Sequence, residues 1–189
     1  MSLHKPTVVE QVLFDEQFNE LVSAIDSNQF GWYFLNDHNY GVSTADEITK
    51  FGFRHLFIAN NQSNSNFSHL ALPIVFAMQD AIGKKLIDIV SIHANMTINV
   101  GQQHNGHPHT DCQSVADTDH AEMYSAVFYI DTCDGDTVFY ADDLETIVHR
   151  QTPVANSMIV FPRHINHSAM LPMHYARRRI VNLNITVAK

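Results

Sequence analysis

Two imidazoles, a carboxylate and a guanidinium stand along this chain in an order that suits a metal centre. His109 and Asp111 lie within His107-Pro108-His109-Thr110-Asp111, His167 follows, and Arg177-Arg178-Arg179 comes after it. On a β-strand, residues two apart project to one face, so His109 and Asp111 aim an imidazole nitrogen and a carboxylate oxygen at one point. His167 is the chosen third ligand, because Met158 to Pro162 reads as a buried strand ending in a turn and His167 opens the next strand. His164 is its main competitor, while His174 stands in a turn just before the arginines. Two histidines and one carboxylate on one face of an octahedron leave three positions open, as in non-haem Fe(II) sites that hold a co-substrate and oxygen together. Zinc favours a closed tetrahedron or a single open position. The His-x-Asp tripeptide alone carries little weight, since 13 His and 14 Asp in 189 residues supply roughly one by chance. More telling, eight of the 13 histidines fall between His104 and His174.

Such a site needs a rigid frame, and the hydrophobic period supplies one. From about Ile87, short runs rich in β-branched and aromatic residues alternate with turn residues: Ile87 to Val100, His107 to Asp111, Met123 to Asp131, Thr137 to Tyr140, Glu145 to His149, Ser157 to Phe161, Asn166 to Leu171 and Arg177 to Val187. Upstream, Asp15 is placed to cap a helix bearing Phe18, Leu21, Val22 and Ile25 on one stripe. A strand is expected over Phe30 to Leu35, Asn60 to Asn66 reads as a polar loop, and Pro73 suits the first turn of a second helix running to Leu86. The expected fold is mainly β with flanking helices, a double-stranded β-helix (jelly roll). One domain over 1–189 is expected, with 1–86 as flank and support and 87–189 as the core carrying the metal site.

Strand parity selects one arginine of the three. In the last strand Val181, Leu183 and Ile185 form an apolar face suited to packing beneath helices, whereas Asn182, Asn184 and Thr186 form a polar one. Arg178 shares the polar face. Arg177 and Arg179, of opposite parity, are expected to lie exposed at the strand's start, and a bulge would exchange these roles. Asn95, Thr97 and Asn99 of the first long strand are candidates to face the same pocket.

These elements together resemble the 2-oxoglutarate and Fe(II)-dependent dioxygenases, in particular the prolyl-hydroxylase-like branch. The resemblance spans roughly Ile92 to Thr186. His109-Thr110-Asp111 is similar to the family's His-x-Asp element. Val127-Phe128-Tyr129-Ile130-Asp131 is similar to its strand ending Tyr-Leu-Asn/Asp, and Gly135-Asp136-Thr137-Val138-Phe139 to its Gly-Gly-x-Thr-x-Phe turn and strand, with Asp136 in place of the second glycine. Phe161-Pro162, His167 and the arginines are similar to the closing series. The resemblance implies Fe(II) on His109, Asp111 and His167, with O2 and 2-oxoglutarate as co-substrates and the distal carboxylate of 2-oxoglutarate held by Arg178 and Tyr129. It also implies decarboxylation of 2-oxoglutarate to succinate and CO2, coupled to hydroxylation of a protein side chain such as proline, or of a small molecule. No catalytic residue beyond the metal centre is required, and Cys112 to Glu122 could form a lid over it.

Composition narrows the alternatives. A net charge of −9 argues against nucleic acid as a partner. No apolar run approaches a membrane span, and Met1 to Glu10 lacks a signal-like core, so a cytoplasmic protein is expected. Two cysteines, Cys112 and Cys133, are too few for a disulfide framework. A cupin-type metal enzyme is the nearest rival, because Gly101 and His107-Pro108-His109 reproduce half of that family's motif, yet the later glutamate and Pro-x-Gly are missing. A non-catalytic jelly-roll binding or structural module is the other. Gly101 to Gly106 has phosphate-loop spacing but lacks the Lys-Ser/Thr ending.

Overall fold

The structure, a computed structural model, describes residues 5–36, 51–102, 104–111, 118 and 120–189. Its strands are β1 (Thr7–Val9), β2 (Tyr33–Leu35), β3 (Gly52–Ala59), β4 (Gln62–Ser63), β5 (Leu86–Ile98), β6 (Ala121–Tyr129), β7 (Thr137–Tyr140), β8 (Ile147–Gln151), β9 (Ser157–Pro162), β10 (His167–Ala169) and β11 (Arg177–Ala188), with helices α1 (Asp15–Ile25) and α2 (Ser68–Ile82). The large sheet runs β1-β9-β6-β11-β5-β3-β2, with β4 on β3, and the small one runs β10-β7-β8. All pairings are antiparallel. This is the expected double-stranded β-helix. Within the first 86 residues, β1 and β3 extend the large sheet at opposite sides.

The two faces of the large sheet have separate cores. On the outer face Ala94, Phe128, Met158, Val160, Val181, Leu183 and Ile185 pack under Leu21 and Ile25 of α1 and Ala71, Ile74, Met78 and Ile82 of α2. Each of these buried Val, Leu, Ile, Met and Phe side chains contributes about 1.5–3 kcal/mol. Between the sheets a smaller group, Val127, Tyr129, Phe139, Ile159, Phe161 and Ile180, closes one end of the barrel. The apolar parity of β11 therefore faces the helices, and its polar parity faces the small sheet.

Both helices depart from the expected bounds. Phe14 occupies the N-cap of α1, its N–H satisfied by Gln17 Oε1 at 3.3 Å, while Asp15 sits one residue inside, among the free amides of the first turn. Helix α2 starts a turn earlier than Pro73, because the Ser68 hydroxyl donates to Phe57 and Ser65 carbonyls and anchors that end. It stops at Gly83, whose φ of 71° takes the left-handed form that ends helices, so Leu86 belongs to β5. The expected 30–35 strand is confined to β2. Strand β3 was not anticipated; it turns into β4 through Asn60 and Asn61, both with positive φ (50° and 61°), the requirement of a two-residue hairpin. The segment 107–111 is no continuous strand and joins the small sheet only by the bridge at His109.

Candidate metal centre

His109 and His167 are direct neighbours across that bridge. Each backbone N–H donates to the other's carbonyl, at 3.0 and 2.9 Å, which sets the two rings side by side with centroids 4.6 Å apart. Asp111, two residues beyond His109, turns its carboxylate between them: Oδ1 lies 4.0 Å from His109 Nε2 and Oδ2 lies 3.8 Å from His167 Nε2. The three ligand atoms fall within 4.8 Å of one another, and this is the metal-competent group among the described residues. His164 is exposed in the β9–β10 turn. His174 is exposed too, and its N–H donates to Asp134. His107 turns its ring outward and contributes its carbonyl instead, which removes the half-cupin pair from the centre.

The donor set suits a divalent transition metal. His109 Nδ1 donates to the His107 carbonyl at 3.0 Å and His167 Nδ1 to the Ile165 carbonyl at 3.1 Å. Each bond holds the proton on Nδ1 and leaves the Nε2 lone pair directed at the shared space. Burial pushes the His167 pKa down against the opposing pull of Asp111, so the ring stays neutral and able to ligate. The rings of Phe161 and Phe139 enclose it, at 4.7 and 6.1 Å. For Asp111 burial pushes the pKa up, but His167, His109, a Ser125 hydroxyl hydrogen bond and His93 together hold it below the usual carboxylate range. An ionised carboxylate beside a neutral His167 imidazole is the ligand form a metal needs.

Deeper in the barrel, the Arg178 guanidinium is 4% exposed and makes no ion pair among the described residues. Nε donates to the Gly135 carbonyl at 2.7 Å and Nη2 to Thr137 Oγ1 at 2.9 Å, which leaves further N–H donors turned into the interior. Burial depresses its pKa. A buried guanidinium without a carboxylate is costly unless an anion binds there. Tyr129 lies beneath it, 5.9 Å from guanidinium carbon to ring centroid. Burial pushes the Tyr129 pKa up to about 12, against the pull of Arg178, so the phenol stays protonated and donates to Thr137 Oγ1 at 2.8 Å. Thr137 thus accepts twice, and its own hydrogen is left for a ligand. Thr97, paired with Arg178 across β5 and β11, has a buried hydroxyl without a partner among the described residues, as has the Asn182 amide oxygen four residues further along β11. The remaining Arg178 N–H groups, the Thr137 hydrogen and the Thr97 hydroxyl are donors that fit an anionic, oxygen-bearing group beside Arg178.

The remaining arginines behave differently. Arg177 is exposed, as its parity predicts. Arg179, expected at the surface, is 4% exposed instead, because its side chain runs under α1 and is bound by Asp131 and Asp26. Asn95 is buried on the pocket side and accepts from Arg54 Nε, whereas Asn99 serves the turn by donating to the Met173 carbonyl. Thr137, Ser125, Asn184 and His93 were not singled out from the sequence as site residues. Thr137 alone had a local signal, in the Gly-x-Thr turn. Most of the possible lid, 112–117 and 119, lies outside the described residues.

No protein-family model matches the chain, and no curated protein matches it by sequence. Solved structures do. A 2OG-Fe(II) oxygenase family oxidoreductase from Burkholderia pseudomallei superposes with a TM-score of 0.70 at 12% identity, over 96% of this chain and 85% of that one. A Pseudomonas putida prolyl-4-hydroxylase gives 0.60 at 16% identity, over 98% and 94%. HygX from Streptomyces hygroscopicus, solved with nickel, 2-oxoglutarate and hygromycin B bound, gives 0.62 at 10% identity, over 98% and 83%. The chain therefore has the jelly-roll fold seen in structures of 2OG-Fe(II) oxygenases. No helix among the described residues is long and apolar enough to cross a membrane.

Proposed function

We propose that this protein is a 2-oxoglutarate- and Fe(II)-dependent dioxygenase that hydroxylates a C–H bond of its substrate. The observation that carries the reading is the joint placement of an ionised carboxylate and two Nε2-directed imidazoles beside a buried guanidinium with no counter-ion among the described residues. His109, Asp111 and His167 would hold the metal. Arg178 would pair with the distal carboxylate of 2-oxoglutarate, with Thr137, Thr97 and the Tyr129 ring completing that end of the cradle.

When bound, Fe(II) with 2-oxoglutarate supplies the oxidising chemistry, in which the keto acid and O2 become succinate, CO2 and the oxygen atom inserted into the substrate. The protein's residues position and enclose. The backbone bonds of both imidazoles fix the rings, and Phe139, Phe161 and Ile159 keep water from one side of the site. Tyr129, protonated at any physiological pH, holds Thr137 so that its hydrogen faces the ligand. No side chain has to exchange a proton with substrate.

For substrate, the resemblance points to a prolyl or other protein side chain, or a small molecule. The structural neighbours include a prolyl-4-hydroxylase and a protein holding hygromycin B, consistent with either class. The anaerobic protein given Fe(II) and 2-oxoglutarate is expected to show the weak visible charge-transfer band of the chelate. His109→Ala and Asp111→Ala should lack it, and succinate should form with O2 and a true substrate. A wild-type protein without the band, or alanine variants that keep it, would sink the proposal.

A further inference from the structure

We infer that Ser91, Asn184 and Ser125 form a hydrogen-bond relay that positions the Asp111 carboxylate, with Asn184 donating to Ser125 and Ser125 donating to Asp111. The inference rests on the metal-centre reading and adds three positioning residues to it.

The three residues come from strands remote in sequence, and register alone aligns them. Asn184 of β11 is paired with Ser91 of β5 on one side and with Ser125 of β6 on the other. The row therefore runs straight across the middle of the large sheet, on the face that looks toward the small sheet. Ser125 is wholly buried and Asn184 is 3% exposed. Hydroxyls and an amide in such a place must find partners. Ser125 Oγ lies 2.7 Å from one end of the Asn184 amide, and the other end lies 3.3 Å from Ser91 Oγ.

The direction of the relay follows from counting hydrogens. Ser125 has one hydrogen and two acceptor positions, and an ionised carboxylate can only accept. With the Asn184 oxygen toward Ser125, the serine hydrogen points along the row and away from Asp111. With the amide turned by 180°, Nδ2 donates to Ser125, Ser91 donates to the amide oxygen, and the Ser125 hydrogen is released toward the carboxylate it faces. Only this second arrangement satisfies every member while giving Asp111 a donor. Its effect is to hold the carboxylate plane in the orientation that serves both imidazoles, as partners of metal-ligating carboxylates do.

The test uses Co(II), whose visible bands report occupancy and geometry without turnover. Removing such an outer partner costs about 10–100-fold in metal affinity. Ser125→Ala should weaken Co(II) binding in that range and alter the band intensities, with a melting temperature near wild type. Asn184→Leu should shift affinity the same way by a smaller factor, because Ser125 keeps its hydrogen but loses the group that aims it. Wild-type Co(II) bands with both variants binding within about twofold would overturn the relay alone. A wild-type protein without Co(II) bands overturns the metal centre, and the relay with it. Should Ser125→Ala unfold, Ser125→Cys, slightly larger and a weak donor, must weaken Co(II) binding relative to wild type or the relay fails.

Discussion

At the scale of single residues, the anion end of the pocket gives the sharpest tests. Arg178 is buried without a counter-ion among the described residues, so its charge is compensated when a carboxylate arrives. Hydrogen bonds to charged groups contribute about 1.5–3 kcal/mol, so Arg178→Met should raise the 2-oxoglutarate Kd by about 10- to 100-fold. Titration of the chelate band against 2-oxoglutarate measures this, and an unchanged Kd would remove Arg178 from the cradle. Gly135 offers a second handle on the same group. A Cβ there would come within 2.8 Å of Arg178 Cδ and 2.9 Å of the Met170 carbonyl oxygen. Gly135→Ala must therefore displace the arginine or the backbone at Met170, just after β10, at about 1–3 kcal/mol of overpacking. The expected result is a lowered Tm together with weakened 2-oxoglutarate binding and near-normal Co(II) binding. Loss of metal and co-substrate in equal measure would show that the damage is not local to Arg178. Arginine parity could be read from the sequence because β11 stays regular where it matters. Its irregularities fall at Asn184/Ile185 and Thr186/Val187, downstream of Arg178 to Asn182. The Ser91, Asn184, Ser125 row could not be read, since it depends on the mutual register of three strands.

At the scale of elements, the sequence announced strands with a clean alternation or a continuous apolar run, β7 and β9 among them although buried on both faces, and hid β3, whose faces are mixed. Strand β11 alternates cleanly, and its span was nearly right. Strand β3 carries Arg54 and Leu56 toward the pocket side and His55 and Phe57 toward the helices, so polar and aromatic residues occur on both faces and no period-two pattern emerges. His55 shows what this hides. Its ring stacks on Phe30 with centroids 3.9 Å apart, Nδ1 donates to the Gly31 carbonyl at 2.8 Å and Nε2 meets Ser65 Oγ at 2.7 Å. Burial depresses its pKa, with the Gly31 bond opposing. The unfolded chain, titrating at about 6.5, then binds more protons than the folded one just below that pH. His55 thus favours folding fully above the unfolded value and costs stability as pH falls through it toward the folded value. Subtracting the Tm-versus-pH curve of His55→Gln from that of wild type should leave a residual that falls from pH 7 to pH 5. Parallel curves would show that His55 titrates alike in both states.

At the scale of the whole molecule, the helical layer and the barrel meet at adjacent residues of one strand. Arg178 points between the sheets, while Arg179, its neighbour, points under α1 and ties three elements together. Its Nε and Nη2 bond Asp131 after β6 at 2.8–3.2 Å, its backbone N–H bonds Asp131 at 3.0 Å, and Nη1 reaches Asp26 at the end of α1. The Asp131 pair is largely buried, with side chains 5% and 19% exposed, whereas Asp26 is 45% exposed and screened by water. Breaking a buried pair from one side costs about 3–5 kcal/mol, and an exposed one up to about 1 kcal/mol. Arg179→Met should therefore lower Tm by roughly 6–20 °C for a chain of this size, and Asp26→Asn by only a few degrees. Neither change touches the pocket. Below its Tm, Arg179→Met should bind 2-oxoglutarate as wild type does, whereas Arg178→Met should lose the co-substrate and keep most of its stability. The two adjacent arginines then separate scaffold from site in one pair of experiments. A result in which Arg179→Met loses the chelate band while still folded would mean that the helical layer holds the cradle in register, and that the division between the two faces of β11 is not functional.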